Sequence, residues 1–524
     1  MKNIHEIKNV LRGESEEITW IPILAGCVFV WLLGSNQPIV DFLTNQRGVL
    51  IVLLAFLYLS VFFYVVVWCG KRDTATVLRF ILIGSFLLRA YYVLLAPYNI
   101  SYHDQGEFTD LESMDSGSGH LGLIEYLYNN GHLPDFDPRQ RWSFYNPPLF
   151  HILGALILKF THTIGVAAPL CYESIQIVNL FAASMTIWLL YKILDRLIEG
   201  KQVVLLFTAM IAFHPFFILY SAELTNDMLC MCFMALAFYY TLRWHKEHTF
   251  SSILIIALGI GLSMAAKLNA AVISFGIGFI FLWDFWHNRL EYKKYIAQFL
   301  AFLAVCAPLG LFYPIRNYVL FKMPLLYVQE LTPDNPQYIS ETVINRIGFS
   351  SKGQLTYPFV KYDAAIERNI WTQLFRTSLF DEINPPVDNN MIASWGLLLF
   401  WITILLALIL NAALVWCIWR KEVVRTEIKI FMLVEYLAML ISYIKFCFDE
   451  PFICTMNYRY ISLSMLFPIL GGAWWLCRQN REKTEGKRNV TWALTGLGYC
   501  LVLSFIAVSF ILELYMMQLV PGRY

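Results

Sequence analysis

The stretch FSSILIIALGIGLSMAAKLNAAVISFGIGFIFLWDFW, residues 250–286, decides the fold class of this chain. Lys267 interrupts 36 mostly apolar residues, which form two segments, 250–266 and 268–286. Each segment comes close to the roughly 20 apolar residues that a helix needs to cross a bilayer. The stretch therefore predicts two membrane-spanning helices joined by a turn at Lys267.

The composition of the whole chain has the same character. Of 524 residues, 58% are hydrophobic and 15% are charged, and the mean hydropathy is +0.56. Soluble domains average about 45–50% apolar and about 25% charged residues. The net charge is +1 and no basic stripe with interleaved aromatic residues occurs. We therefore expect membrane lipids, and no nucleic acid, among the partners.

Similar apolar segments recur along the chain and predict an all-α polytopic membrane protein. We expect about thirteen crossings, at 18–34, 48–69, 78–97, 174–194, 203–220, 227–243, 250–266, 268–286, 296–313, 396–419, 428–447, 459–477 and 491–514. One further apolar segment, 147–168, follows Pro147-Pro148. A complete crossing there would place the basic linker 192–201 outside, so either this segment enters the membrane only partly or another assigned crossing is wrong, and we expect a partial or irregular element.

Lysine and arginine collect in short linkers, which predicts that these linkers are cytoplasmic. They lie at 71–79, 192–201, 243–248, 287–294, 420–429 and 478–488. Two long loops, 98–146 and 314–395, then face outward and hold many of the acidic residues. In the second loop, 363–380 has Ile366, Ile370, Leu374 and Phe375 on one helical face. This spacing predicts an amphipathic helix that lies on the membrane surface.

No internal repeat or low-complexity linker divides the chain. We expect three regions. Residues 1–77 hold an N-terminal tail and two extra spans, residues 78–490 form the membrane core with both outer loops, and residues 491–524 form the last span and an outer tail.

The first candidate site is SYHDQGEFTD, residues 101–110, in the first outer loop. A helical start would place Asp104 and Glu107 on one face, with His103 beside them. Such a pair can deprotonate an acceptor hydroxyl, or it can hold a divalent cation (Mg²⁺ or Mn²⁺) near a phosphate. We expect no other cofactor. An ordinary solvated acidic loop is the alternative.

Two further outer segments carry polar candidates. In RWSFYNPPLFHI, residues 141–152, the proline pair fixes how the chain enters the membrane, and Tyr145, Asn146 and His151 are expected near the interface. An architectural turn is the alternative interpretation there. In HPFFILYSAELTNDML, residues 214–229, Glu223, Asn226 and Asp227 lie where one span ends and the next begins. Ionisable groups at such depth indicate function, and helix capping by Asn226 or Asp227 is the alternative.

A cationic group lies on the same predicted side. Lys267 occupies an outer turn, Arg316-Asn317 follows the span at 296–313, and Arg459-Tyr460 opens the span at 459–477. Interfacial arginines often only extend toward water. Cations on the same side as several acids favour a cavity that handles phosphate, because guanidinium binds phosphate oxygens in a bidentate manner.

Taken in order, these segments resemble the membrane glycosyltransferases of the C-type (GT-C) fold, in particular the family of protein O-mannosyltransferases and aminoarabinose transferases. The matching positions are His103-Asp104-Gln105-Gly106-Glu107, Tyr145-Asn146-Pro147-Pro148-Leu149, Glu223-Leu224-Thr225-Asn226-Asp227, Ala266-Lys267, Arg316-Asn317 and Arg459-Tyr460. The resemblance covers about 78–475. Asp104-Gln105 stands where family members commonly have adjacent Asp and Glu, so which acid is the base stays open.

The resemblance implies a GT-C fold and a polyprenyl-phosphate-linked sugar donor that is used outside the cytoplasm. It implies Asp104, Glu107 and Asp227 as catalytic acids and a donor phosphate on Lys267, Arg316, Arg459 and Tyr460. The substrate-binding candidates are His103, Tyr145, Asn146, His151, Glu223 and Asn226. A metal would be held by Asp104 and Glu107.

The leading hypothesis is a glycosyltransferase that moves the sugar to an acceptor hydroxyl or amine. We expect it in a bacterial plasma membrane with the site facing outward, and an endoplasmic reticulum membrane is the alternative. The rival hypothesis is a transporter or flippase, which would place ionisable residues at several depths of the membrane.

Overall fold

The computed structural model describes residues 20–64, 73–99, 117–329, 331–348, 352–364, 366–382, 390–420, 423–484 and 490–520. Within these ranges the chain is helical and has no strand, and Tyr338 and Phe452 form one isolated bridge. The predicted all-α polytopic class is confirmed.

The α-helices are numbered here in chain order. They are α1 (Trp20–Gly34), α2 (Gln37–Asn45), α3 (Arg47–Tyr64), α4 (Thr74–Leu95), α5 (Gly119–Asn130), α6 (Leu149–Thr163), α7 (Ala168–Glu173), α8 (Ile177–Leu197), α9 (Lys201–Ala212), α10 (Pro215–Leu219), α11 (Asp227–Glu247), α12 (Phe250–Ala266), α13 (Ser274–His287), α14 (Tyr292–Phe321), α15 (Val343–Ile347), α16 (Ile370–Phe380), α17 (Asn390–Trp419), α18 (Thr426–Asp449), α19 (Leu466–Thr484) and α20 (Val490–Met517). Short 3₁₀ segments lie at Pro138–Gln140, Ser174–Gln176, Leu268–Ile273, Arg289–Glu291, Lys352–Leu355, Cys454–Met456, Tyr458–Tyr460 and Ser462–Met465.

Seven described segments are long and apolar enough to cross a membrane, and α1 with α2, bent by 88°, makes an eighth if the pair is one span. The seven are Thr74–Leu95, Ala168–Leu197, Leu268–His287, Arg289–Phe321, Met391–Trp419, Thr426–Asp449 and Thr495–Met517. Shorter apolar helices lie at Arg47–Ser60, Leu149–Thr163, Lys201–Ala212 and Phe250–Ala266. Every segment predicted as a crossing contains helix, while the number of crossings stays a prediction.

The segment at 147–168 forms α6, which has 15 residues. At 1.5 Å per residue it is about 22 Å long, less than the roughly 30 Å of a hydrocarbon core. This length agrees with an element that enters the membrane only partly.

The stretch 363–380 differs from its prediction. Its helix, α16, begins only at Ile370, after Asn369 has capped the backbone N–H groups of Trp371 and Thr372. Most residues of α16 are buried, and they include Gln373 and Arg376, while Leu374 and Phe375 of the predicted apolar face are partly exposed. Helix α16 packs on α10, α17 and the turn Tyr458–Tyr460, and its position at the membrane surface stays a prediction.

The core that positions the outer turns is built from α8, α11, α12 and α14. Helix α11 packs against α8 and α12, and α12 packs against α14. Residues just before and within α8 hold the loop between α10 and α11: Gln176 Nε2 donates to Ala222 O at 2.9 Å, and Asn179 Nδ2 donates to Glu223 O and Thr225 O at 2.6 and 2.8 Å. Because side-chain amides satisfy these buried carbonyls, the irregular loop can lie deep in the protein.

Helices α17 and α19 approach each other closely at Gly471. A Cβ atom there would lie 2.5 Å from Leu414 Cα and 2.6 Å from Leu414 N. Small residues at helix interfaces allow this kind of backbone approach in membranes.

Gly471→Ala is therefore expected to destabilise the protein by about 1–3 kcal/mol, since the added methyl meets backbone that cannot yield locally. The measurement is the thermal unfolding midpoint of the purified protein in detergent, followed by tryptophan fluorescence. Gly278→Ala is the matched control, because a Cβ at Gly278 meets nothing within 4 Å. Equal midpoints for the two variants would contradict the role of Gly471.

Candidate active site

The start of α11 and the end of α12 are joined by paired polar contacts. Asn226 Nδ2 donates to Ala266 O at 2.7 Å, and Lys267 Nζ lies 2.5 Å from Asp227 Oδ1. Asp227 is the first residue of α11, where the helix dipole favours a carboxylate. The Asn226 side chain makes no capping bond to α11, so capping by Asn226 does not account for this pair of residues.

Arg459 and Tyr460 reach the same place from a distant part of the sequence. Arg459 Nη1 lies 3.9 Å from Asp227 Oδ2, and Arg459 Nη2 donates to Tyr460 Oη at 3.1 Å. The Tyr460 ring centroid lies 4.7 Å from Lys267 Nζ and 5.0 Å from Arg459 Cζ. The ring thus stabilises both cations. The residues lie on a 3₁₀ turn, Tyr458–Tyr460, and α19 begins only at Leu466, so the predicted span 459–477 opens with 3₁₀ turns before its α-helix begins.

These four side chains line a cavity with an empty volume of about 340 Å³. The rest of its wall comes from Cys230, Met231, Met234, Asn269, Ala270, Val272, Met439, Ser462 and Leu463. The charged members of the wall are one carboxylate and two cations. The side chains of Asp227 and Arg459 are 4% and 5% exposed, and Lys267 is 16% exposed. In such a poorly hydrated wall, the surplus positive charge favours an anionic ligand.

Tyr220 connects this cavity to a second group of acids. Its hydroxyl donates to Asp381 Oδ1 at 3.1 Å and lies 3.3 Å from Asn457 Oδ1. Glu223, Asp227 and Arg459 all lie within electrostatic reach of the same phenol. Glu223 is buried, and its role in substrate binding stays a prediction.

The second acid group includes Glu382, which follows Asp381. Glu382 Oε2 accepts a hydrogen bond of 2.5 Å from Tyr362. Burial first, and then the neighbouring Glu382 carboxylate, raise the pKa of Tyr362 far above its usual value. Tyr362 therefore stays a hydrogen-bond donor across the physiological pH range.

His151 forms a buried pair with a residue that the sequence did not single out. His120 Nδ1 lies 2.8 Å from His151 Nε2, and the stacked rings are 5.1 Å apart. His120 is within electrostatic reach of Asp227. The pair therefore belongs to the surroundings of the cavity, and its short bond requires that one ring donates and the other accepts.

Three predicted residues have their described contacts elsewhere. Arg316 donates to Pro134 O at 2.6 Å and to Asn317 Oδ1 at 2.9 Å. Tyr145 packs edge-on against Tyr327 with ring centroids 5.5 Å apart, and the Asn146 backbone N–H donates to Ser143 O at 3.1 Å. None of these three lines the cavity, so their roles in binding stay predictions.

His103, Asp104 and Glu107 lie outside the described residues. Within the described part of the chain, no group of three or more His, Cys, Asp or Glu side chains is arranged to hold a metal ion. The expected divalent cation therefore rests on Asp104 and Glu107 and stays a prediction.

Sequence reasoning missed His120, Tyr220, Asp381, Glu382 and Asn457. One signal was present for two of them. Asp381-Glu382 is an acidic pair just before Pro385-Pro386 in an outer loop, and this repeats the combination of acids and a proline pair that marked the first outer loop. Tyr220 and Asn457 carry no local signal, since their shared partner Asp381 lies 161 and 76 residues away.

Part of the chain matches a known protein family. Residues 148–312, less than a third of the chain, match the family model described as dolichyl-phosphate-mannose-protein mannosyltransferase. The matched segment contains Asp227 and Lys267. No curated protein matches the sequence.

Three solved structures are similar to this chain. The Saccharomyces cerevisiae protein O-mannosyltransferase Pmt1-Pmt2 complex bound to the sugar donor is 11% identical with a TM-score of 0.48, over 86% of this chain and 90% of that one. The Archaeoglobus fulgidus oligosaccharyltransferase AglB, with an inhibitory peptide and a dolichol-phosphate, is 13% identical with a TM-score of 0.46, over 87% of this chain. This chain spans 57% of the length of AglB. ArnT from Cupriavidus metallidurans is 12% identical with a TM-score of 0.37, over 77% and 78% of the two chains.

The resemblance that the motifs predicted is confirmed: over residues 148–312 this membrane protein carries the sequence pattern of the dolichyl-phosphate-mannose-protein mannosyltransferase family.

Proposed function

We propose that this protein is a polytopic membrane glycosyltransferase of the GT-C type. It moves a sugar from a polyprenyl-phosphate-linked donor to an acceptor hydroxyl or amine on the non-cytoplasmic face. The observation that carries the proposal is the cavity wall in which Lys267, Arg459 and Tyr460 surround Asp227. The family match at residues 148–312 supports it.

The charges of the wall suit the change in charge during such a reaction. A sugar linked through phosphate to a lipid is a phosphodiester with one negative charge, which offsets the net +1 of Asp227, Lys267 and Arg459. When the bond between the anomeric carbon and the phosphate oxygen breaks, the leaving lipid phosphate becomes a monoester with about −1.5 to −2 charges at pH 7. Lys267 and Arg459 therefore stabilise the transition state more than the donor, which is the requirement for catalysis.

The acceptor reaction requires a base. The acceptor oxygen or nitrogen attacks the anomeric carbon, a new glycosidic bond forms, and the acceptor proton passes to a carboxylate. Asp104 and Glu107 are the proposed candidates for this carboxylate, and a divalent cation on the same pair is the alternative role. Asp227 is proposed as the supporting acid that orients Lys267 and Arg459.

Transport is less well supported. Three ionisable side chains, Arg89, Glu435 and Glu513, are buried within helices away from the cavity. Arg89 donates to Ala212 O and Ser184 Oγ, and Glu435 accepts from the Gly276 backbone N–H at 2.8 Å. These are local contacts that satisfy helix backbone and side chains. No described hydrogen bond joins Arg89 or Glu435 to a side chain of the cavity wall.

Removal of either cation is expected to weaken the binding of a lipid phosphate. Lys267→Met and Arg459→Met should each lower the affinity for undecaprenyl phosphate by roughly 10- to 100-fold, because a charge-assisted hydrogen bond contributes about 1.5–3 kcal/mol. The measurement is equilibrium binding to the protein in nanodiscs. Arg243→Met is the control, since Arg243 pairs with Glu247 at the opposite end of α11. Unchanged affinity in both cavity variants would contradict the phosphate role.

Asp227→Asn is expected to keep the fold and to lower turnover by about 10²–10³-fold, because the neutral amide no longer orders the two cations at the transition state. The assay follows undecaprenyl phosphate released from undecaprenyl-phosphate-mannose in the presence of a membrane extract that supplies acceptors. Full turnover by this variant would contradict a catalytic role for Asp227.

The base is identified by testing the two loop acids separately. If Asp104 takes the acceptor proton, Asp104→Asn should abolish release of the lipid phosphate, and if Glu107 takes it, Glu107→Gln should do so. In either case undecaprenyl phosphate should still bind. If a variant loses both lipid-phosphate binding and turnover, and Mn²⁺ at high concentration restores them, the substituted residue would instead be a metal ligand. Full turnover by both variants would exclude the pair from either role.

A further inference from the structure

A buried network joins the second outer loop to the turn that carries Arg459. Asn457 Nδ2 donates to Asp381 Oδ1 and to Glu382 Oε1, both at 3.1 Å. Tyr220 donates to the same Asp381 oxygen at 3.1 Å. Tyr220 and Asn457 are 0% exposed, and Asp381 is 1% exposed.

The other end of the Asn457 amide holds the Arg459 backbone. Asn457 Oδ1 accepts from the Arg459 N–H at 2.9 Å and caps the 3₁₀ turn Tyr458–Tyr460. The preceding N–H of this segment is held by α16, because Tyr458 N donates to Thr377 Oγ1 at 2.9 Å. Two residues at the C-terminal end of α16, Thr377 and Asp381, therefore help to fix the backbone from Asn457 to Arg459.

The network is maintained at a cost in backbone energy. Asp381 has φ +52° and ψ −136°, and Tyr362 has φ +57°. Positive φ is unfavourable for residues with a side chain and costs on the order of 1–3 kcal/mol where the surroundings enforce it. At Asp381 this conformation accompanies a buried carboxylate that meets both Tyr220 and Asn457.

We propose that Asp381 is a positioning residue for the donor phosphate, and that it acts through Asn457 on Arg459. This inference rests on the proposed function and assigns a role in it to the second outer loop. Asp381 fixes which way the Asn457 amide points, so that Nδ2 faces the acids and Oδ1 faces the Arg459 N–H. The turn then presents the Arg459 guanidinium to the cavity beside Asp227.

The direction in which phosphate affinity changes when Asp381 is removed distinguishes a positioning role from a purely electrostatic one. Asp381 is an acid on the side of the cavity that would hold a phosphate. If it acted only through its charge, its removal would reduce repulsion and tighten phosphate binding. If it positions Arg459, its removal loosens the turn and weakens binding.

The test measures undecaprenyl phosphate affinity of the full-length protein in nanodiscs. Asp381→Ala should weaken binding on the order of fivefold, the size typical of a coupled hydrogen-bonded pair. Asp381→Asn is the matched variant, because its amide oxygen still accepts from Tyr220 and Asn457, and asparagine tolerates positive φ. It should bind within about twofold of the unsubstituted protein. In an Arg459→Met background, Asp381→Ala should have no further effect.

Hydrogen exchange gives a second measurement that needs no ligand. Asp381→Ala should speed deuterium uptake in a peptide covering 457–461, and Asp381→Asn should leave it unchanged. If Asp381→Ala fails to fold, Asp381→Gly takes its place, because glycine also lacks the side chain and adopts positive φ without strain.

The outcomes distinguish the two proposals. Tighter binding by Asp381→Ala, or an equal loss in the Arg459→Met background, would overturn the positioning role while leaving the proposed function intact. An unsubstituted protein that does not bind undecaprenyl phosphate would overturn the proposed function. In that case unchanged exchange at 457–461 in the Asp381→Ala protein would overturn the positioning role as well.

Discussion

Asp227 stands between two cations in a part of the protein that water barely reaches, and the rest of the site depends on this arrangement. A buried carboxylate without a partner is strongly unfavourable, and so is a buried guanidinium. Asp227 therefore requires Lys267 at 2.5 Å and Arg459 at 3.9 Å, and they require Asp227. Three separate elements, the start of α11, the turn after α12 and the 3₁₀ turn at Tyr458–Tyr460, meet at this point.

The fold could be predicted from sequence to the extent that it depends on local hydropathy. Each predicted crossing contains helix, because roughly 20 apolar residues have few other stable arrangements in a bilayer. Helix bounds were less predictable. The predicted span 459–477 begins with 3₁₀ turns, and at its start the Arg459 N–H is held by Asn457 Oδ1 and not by a helix carbonyl.

The candidate site was predictable where charge and topology sufficed. Asp227, Lys267 and Arg459 were expected on one side because basic linkers set the orientation of the spans, and the structure brings them into one cavity. Arg316 shares that predicted side, but its guanidinium contacts Pro134 O. The predicted side of the membrane indicates the depth at which a residue lies, but it does not determine the direction in which a long side chain points. Asp381 and Asn457 were missed because their meeting depends on the packing of α16, which no periodicity in the sequence reveals.

The two cations of the cavity are not equivalent. The Lys267 ammonium is a compact charge, and at 2.5 Å Asp227 offsets most of it. The Arg459 guanidinium lies farther from Asp227, and its planar fork matches two oxygens of a phosphate. Arg459 is then the better candidate to contact the donor directly, and Lys267 holds Asp227 in place and supplies background charge. The buried network that fixes the backbone of Arg459 suits this division, because a bidentate contact depends on orientation, whereas the field of a point charge depends mainly on distance.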